Sequence, residues 1–236
     1  MNHVKAILWK QLKDTLKNKA VLIQFIMFPV MTVIMEKAIS IQGMQEHFFA
    51  NLFAVMYVGM APLTCIASII SEEKEKNTLR VLQMCNVKAF AYLLGNAIYI
   101  VSVCMLGSLV IGLAGGYKGF DLLTFILILF VGNIISLVLG AAIGVASKNQ
   151  MMATSLTMPV MMVLSFLPML SMFNDTIRKI AKYFFTQQLN ILINTVGNIT
   201  VRKDTIIILL SNMVLIGVIF IVSYRKSFMR NTSPCL

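Results

Sequence analysis

Residues 122–146 read LLTFILILFVGNIISLVLGAAIGVA, an unbroken run without a charged side chain. As a helix rising 1.5 Å per residue, a run of this length exceeds the ~30 Å hydrocarbon core of a bilayer. Where water is absent, every backbone N–H and C=O must be paired within the chain, and one continuous helix achieves that. Gly132, Ser136, Gly140 and Gly144 recur every fourth residue along one face of it. Such a small-residue face lets another helix backbone approach closely, so the ladder reads as packing rather than chemistry.

Five more stretches share this character. The expected spans are 20–38, 48–70, 90–113, 121–146, 151–173 and 205–224, each free of charge through its middle. Composition agrees: 58% of the 236 residues are apolar, 12% are charged, and the mean hydropathy is +0.85. An ordinary soluble domain is about 25% charged, so that class is excluded. The sequence predicts an all-α polytopic membrane protein forming a single transmembrane domain over 1–236.

The 20 Lys and Arg outnumber the 9 Asp and Glu, giving a net charge of +11. The basic residues lie between the apolar runs, where they orient a chain in a bilayer rather than bind nucleic acid. With the N-terminus inside, 13 of the 20 fall on the cytoplasmic side, which favours both termini there. The first 19 residues lack the apolar core and small-residue cleavage site of a signal peptide.

Two flanking segments have patterns of their own. Over 1–19, Val4, Leu8, Leu12 and Leu16 form an apolar stripe with Ile7 and Trp9 beside it, and Lys5, Lys10, Lys13 and Lys17 occupy the other surface. This predicts an amphipathic helix in the membrane interface, the alternative being a frayed basic tail. Over 174–204, Ile177, Ile180, Ala181, Phe184 and Phe185 are followed by Leu189, Ile191, Leu192 and Ile193. That pattern predicts two short helices dipping into the outer leaflet, either capping the bundle or meeting substrate.

Enzyme chemistry finds no footing. His3 and His47 are the only histidines and neither lies mid-span, so no Ser-His-Asp, Cys-His or HExxH set can be built within the membrane. Cys65, Cys85, Cys104 and Cys235 show no metal or disulfide spacing. No Gly-Lys dipeptide occurs, so a Gly-rich loop holding nucleotide phosphates with its Lys is absent. The expectation is a chain with no catalytic residue, no metal and no cofactor of its own. Gln24, Asn51, Asn96, Asn133 and Asn212 are the uncharged polar residues in or beside spans, suited to interhelical hydrogen bonds or substrate contact.

The segment 71–88 is the one cytoplasmic stretch with a distinct character: Ser71-Glu72-Glu73-Lys74-Glu75-Lys76-Asn77-Thr78-Leu79-Arg80-Val81-Leu82. Its charged half suits solvent, whereas Leu79 and Leu82 share a helical face that suits a partner's groove. This run resembles the first cytoplasmic loop of the membrane subunits of type-2 ATP-binding-cassette transporters, which reads approximately Glu-x-Glu-x-Gly-Thr-Leu-x-x-Leu. The matching residues are Glu73, Glu75, Asn77, Thr78, Leu79 and Leu82. Asn77 stands for the usual Gly, and Cys85-Asn86-Val87 stands where Thr-Pro-Val or Thr-Pro-Ile is common. Ile180-Ala181-Lys182-Tyr183-Phe184-Phe185 is similar to the family's segment after its fifth span, without the habitual Pro. The resemblance covers nearly the whole chain.

The resemblance implies a permease with the type V exporter fold. Two permeases pair as homo- or heterodimers, and separate ATPase chains, carrying ATP and Mg, dock beneath them. The loop then forms the coupling helix, with Glu72, Glu73, Glu75, Asn77, Thr78 and Arg80 making polar contacts while Leu79 and Leu82 insert. It also implies that the second and fifth spans line a central cavity, offering Asn51, Phe53, Met56, Tyr57 and Met60, and Met158, Met161, Met162 and Phe166. Met and Phe without charge suit an amphipathic or hydrophobic cargo. Antimicrobial peptides and drugs fit the family's small bacterial members, and lipids or glycan carriers also fit. The rival readings are a non-transporting membrane scaffold or sensor recruiting a partner through 71–88, and a channel, which the lack of a charged ring disfavours.

Overall fold

The structure, a computed structural model, describes residues 2–17, 19–39, 47–78, 89–196 and 203–231. Among them every regular element is an α-helix: α1 Asn2–Lys17, α2 Lys19–Ala38, α3 Phe48–Glu75, α4 Ala89–Ala114, α5 Gly119–Ala146, α6 Gln150–Phe173, α7 Asp175–Ala181, α8 Phe185–Asn194 and α9 Lys203–Asn231. Five of these, α3, α4, α5, α6 and α9, are long and apolar enough to cross a membrane. The 20-residue α2 occupies the first expected span and carries Pro29.

Helix α3 is the hub. Its face holding Ala54, Val58, Ala61 and Cys65 is buried against neighbours, and it packs on α2, α4, α5, α6 and α8. Small residues permit this crowding. A Cβ on Gly140 would lie 2.2 Å from the Leu63 carbonyl oxygen, and one on Gly144 would lie 3.0 Å from the Ala67 Cα. Gly132 meets Val58 of α3 and Leu189 of α8, and Ser136 is fully buried. On the other flank, Gly59 of α3 lies against Leu164 and Ser165 of α6, and the Ser165 hydroxyl donates to the Met56 carbonyl at 3.2 Å. Helix α9 packs on α5 yet leaves most of its surface outward, including Leu210, Val214, Val218 and Val222.

Interhelical polar contacts are few and specific. The Thr64 hydroxyl and the Cys65 thiol of α3 donate to Gln24 Oε1 of α2, at 3.0 and 3.4 Å. Asn212 of α9 donates to the Tyr183 carbonyl at 2.9 Å, and Asn133 of α5 reaches the Met105 sulfur of α4 at 3.7 Å. Asn96, fully buried on α4, has no hydrogen-bond partner among the described residues.

Two helices extend beyond the expected spans they contain. Helix α3 runs past 70 to Glu75, because its charged last turn finds partners within the chain. Helix α9 runs from Lys203 to Asn231, around the expected span 205–224. The N-terminal helix packs on α4 and α2. Ile7, Gln11 and Thr15 are buried, whereas Trp9 and Leu12, beside and on the apolar stripe, face outward.

Candidate functional site

The charged run at the end of α3 is bolted to three other helices. The Glu73 side chain is only 8% exposed and pairs with Lys10 of α1, and Gln11 Nε2 donates to the same carboxylate oxygen at 3.3 Å. Lys74 reaches the other way, donating to the carbonyls of Val145 and Ser147 at 2.5 and 2.7 Å. Carbonyls at a helix C-terminus lack intrahelical donors and carry partial negative charge, so an ammonium there both satisfies and neutralises them. Glu75 accepts the backbone N–H of Gln150 at 2.9 Å, the mirror arrangement at the start of α6. Gln150 in turn donates to Ser68 of α3 at 3.1 Å.

Glu72 and Lys76 bridge each other at 2.6 Å across one helical turn. That contact and the Glu72 charge raise the Lys76 ammonium's pKa above its ordinary value. Helix α3 ends at Glu75, and beyond its Lys76 cap Asn77 has a φ of 56° and donates its N–H to the Lys74 carbonyl at 3.2 Å. The left-handed region is strained for most side chains and is taken up chiefly by Gly, then Asn. Asn77 thus adopts at this position a backbone that a Gly would adopt freely. Thr78 is half-buried beside it; Leu79, Arg80 and Leu82 lie outside the described residues, as does the rest of 79–88.

At the opposite end of the bundle a second polar cluster joins α3, α8 and the α4–α5 turn. Tyr117 donates to Asn51 Oδ1 at 2.7 Å, Asn51 Nδ2 donates to Asn194 Oδ1 at 2.8 Å, and Asn194 donates to Asn190 at 3.2 Å. The His47 ring lies 4.3 Å from that of Tyr117 and its Nδ1 meets the Gly115 carbonyl. Burial pushes the Tyr117 phenol up to about 12, so it stays a proton donor to Asn51. Glu36 accepts the Ala50 N–H at 2.8 Å, capping α3 from the end of α2.

The cavity candidates separate into two groups. Asn51, Met56 and Tyr57 are buried within the bundle, and Tyr57 sits so tightly against α4 that a Cβ on Gly107 would lie 2.3 Å from its hydroxyl. Phe53 is half-buried, its ring 6.3 Å from Phe28 of α2, and Met60 is half-buried too. On α6, Met158, Met162 and Phe166 face outward and Met161 is half-buried. The structure therefore brings Asn51 into the cluster at the start of α3, while α3 and α6 pack on each other through Met56, Gly59, Leu164 and Ser165 and leave Met158, Met162 and Phe166 outward.

The sequence reading missed the polar side of α8, where Thr186, Gln187, Gln188 and Asn190 are buried and Ser171 donates to Gln187 at 3.0 Å. The available signal was the density of amides in Thr186-Gln187-Gln188-Leu189-Asn190, which an interior helix tolerates only with partners. It also missed that Lys74 and Glu75 would cap neighbouring helices, which no local pattern reveals.

No curated relative matches this chain. A family model described as ABC-2 family transporter protein matches residues 2–224, which is nearly its whole length. With five helices fit to cross a membrane and this match, the chain is a multi-pass membrane protein that belongs to the ABC-2 transporter family.

Proposed function

We propose that this chain is the permease subunit of an ATP-driven exporter, dimerising in the membrane and worked by separate ATPase chains that hold ATP and Mg. The observation that carries the reading is the family match over residues 2–224 in a sequence without a phosphate-binding Gly-Lys loop. Energy must then enter through protein contact. In this reading α2 supplies the sixth span, both termini are cytoplasmic, and the membrane is a bacterial plasma membrane. Residues 71–88 form the coupling handle, with Leu79 and Leu82 seated in the ATPase. Residues 174–204 face the outside as re-entrant helices.

The α3 end is suited to receive a push. Glu73, Lys74 and Glu75 link it to α1, α5 and α6, so a load on the handle spreads over four helices at once. On the described part of the handle, Glu72, Glu75, Lys76, Asn77 and Thr78 keep surface to meet a partner directly, with Glu73 acting from inside.

The cargo is an amphipathic or hydrophobic compound, with antimicrobial peptides and drugs as the leading classes. Met158, Met162 and Phe166 offer an adaptable apolar surface without charge, and a second permease facing them would close the cavity. The test is capture from native membranes in mild detergent. An ATP-binding-cassette ATPase should co-purify and be lost on Leu79→Asp, and its ATP turnover in liposomes should rise with cargo. Undiminished ATPase binding by that variant removes the handle assignment.

A further inference from the structure

Helix α7 and the turn after it have three different sides. Ile177 and Ala181 turn toward the protein, Ala181 fully buried and Ile177 half-buried. Arg178, Lys179 and Lys182 are all exposed, and at about 100° per residue they share roughly a third of the helix circumference. On the remaining side Ile180 is 57% exposed and Tyr183, in the turn, 70%. Phe173, which ends α6 just before this helix, is 78% exposed.

The arrangement is held from several directions. Arg178 Nε donates to the Ser171 carbonyl of α6 at 3.2 Å, and its Nη1 pairs with Asp175 at 3.1 Å. Asn174 caps the helix by accepting the N–H groups of Thr176 and Ile177 at 2.8 and 3.3 Å. Beyond it, the Lys182 carbonyl accepts from Gln188 of α8 at 2.5 Å and the Tyr183 carbonyl from Asn212 of α9 at 2.9 Å. The cations and the apolar side chains are therefore presented outward by a fixed backbone.

Neither water nor hydrocarbon suits both of these exposed sides, but the boundary between them does. There the apolar and aromatic groups enter the acyl edge while Lys and Arg stand at phosphate depth. Asp175, the one acid of α7, answers a single cation, so the surface stays net positive and favours a headgroup of net negative charge. With the N-terminus inside, this end lies on the far side of the membrane, where only seven of the 20 basic residues fall, and three of those seven are here. Basic residues are disfavoured on that side, and a headgroup contact accounts for their concentration.

We propose that α7 and Tyr183 form a binding surface for anionic phospholipid, with Arg178, Lys179 and Lys182 taking the phosphate headgroup while Phe173, Ile180 and Tyr183 enter the acyl boundary. Bound lipid would bear on the corner where α6 meets α8, because Arg178 holds the Ser171 carbonyl and the Ser171 hydroxyl donates to Gln187 at 3.0 Å. Which leaflet the surface meets rests on the permease reading; the surface itself does not.

The test uses the full chain without ATPase or cargo, in nanodiscs of phosphatidylcholine with a minor fraction of phosphatidylglycerol. In Trp9→Phe/Tyr183→Trp the one indole stands in the exposed turn, and bromine on one lipid at a time reports which headgroup lies beside it. A basic residue near an anionic surface is worth roughly fivefold in association. Quenching at position 183 should therefore show at least about fivefold enrichment of phosphatidylglycerol at matched mole fraction, weakening at high salt. Adding Arg178→Gln/Lys179→Gln/Lys182→Gln should abolish that preference. Lys179→Gln/Lys182→Gln, which leaves the Arg178 contacts in place, should lose most of it with hydrogen–deuterium exchange of α8 unchanged. In a chain that keeps Trp9, the same substitutions should not alter quenching there, since α1 is tied to the Glu73 end of α3 and α8 to the Asn51 end. Equal quenching by the two lipids, or a preference that survives the triple variant, overturns the proposal. So does loss of the preference in millimolar inorganic phosphate at matched ionic strength, which would mark a free-anion site instead of a lipid one.

Discussion

Lys74 closes the end of α5 by donating to the Ser147 carbonyl at 2.7 Å, across more than seventy residues of sequence. The same ammonium takes the Val145 carbonyl, so one side chain from the last turn of α3 satisfies two terminal carbonyls of its neighbour. Lys74→Met keeps the aliphatic stem and removes these donors. A hydrogen bond from a charged group contributes about 1.5–3 kcal/mol, so the variant should melt measurably lower in a detergent thermal-shift assay. Lys74→Arg should recover part of the loss, since the charge remains while the donor geometry changes.

The α3–α5 crossing makes a sharper prediction from a single methyl group. Gly140→Ala places a Cβ 2.2 Å from the Leu63 backbone oxygen, an atom that cannot swing aside. Overpacking of this kind costs about 1–3 kcal/mol and should lower the melting temperature and the yield of monodisperse protein. Gly217→Ala on α9 is the matched control: nothing lies within 4 Å of the new Cβ. There the substitution should be neutral or stabilise by about 0.5–1 kcal/mol through helix propensity.

The helices were legible because bilayer-length apolar runs and the four-residue spacing of Gly132, Ser136, Gly140 and Gly144 are local signals. The wiring was not. That Glu73 turns inward to Lys10 while Glu72 pairs with Lys76 on the surface depends on where α1 lies, and an alternating charge run gives no cue to it. Trp9 and Leu12 stay outward, whereas Gln11 is buried where it reaches Glu73. A polar residue with a distant partner can outbid an apolar neighbour for the protein face, and sequence periodicity counts only the apolar side of that contest.

Tyr117 carries a pH prediction whose sign follows from burial. Its phenol is pushed up to about 12 in the folded chain against an ordinary value of 10.0. Below pH 10 the group is protonated whether folded or not and its contribution is fully present. Between about 10 and 12 the unfolded phenol ionises while the folded one stays neutral, so stability falls as pH rises. Tyr117→Phe lacks this group, so the gap in melting temperature between wild type and variant should narrow or invert as pH is taken from 9 to 11. A gap that stays constant over that range would show that the phenol is not held neutral by its surroundings.

The last prediction concerns the backbone just beyond α3. Asn77 has φ 56°, in a region where a β-branched residue is strained and Gly is not. Asn77→Gly should therefore leave the end of α3 as it is, shifting stability by no more than a few tenths of a kcal/mol. Asn77→Val should cost about 1–2 kcal/mol locally, either fraying the turn that holds Lys74 and Glu75 or redirecting the chain into the segment that follows. Hydrogen–deuterium exchange over 71–78 separates these outcomes. The Gly variant should match the wild type and the Val variant should exchange faster there, with α9 unchanged as the internal reference. If the handle reading is right, the Val variant should also release the co-purifying ATPase while the Gly variant retains it, because the direction in which the chain leaves Asn77 sets where Leu79 and Leu82 can reach.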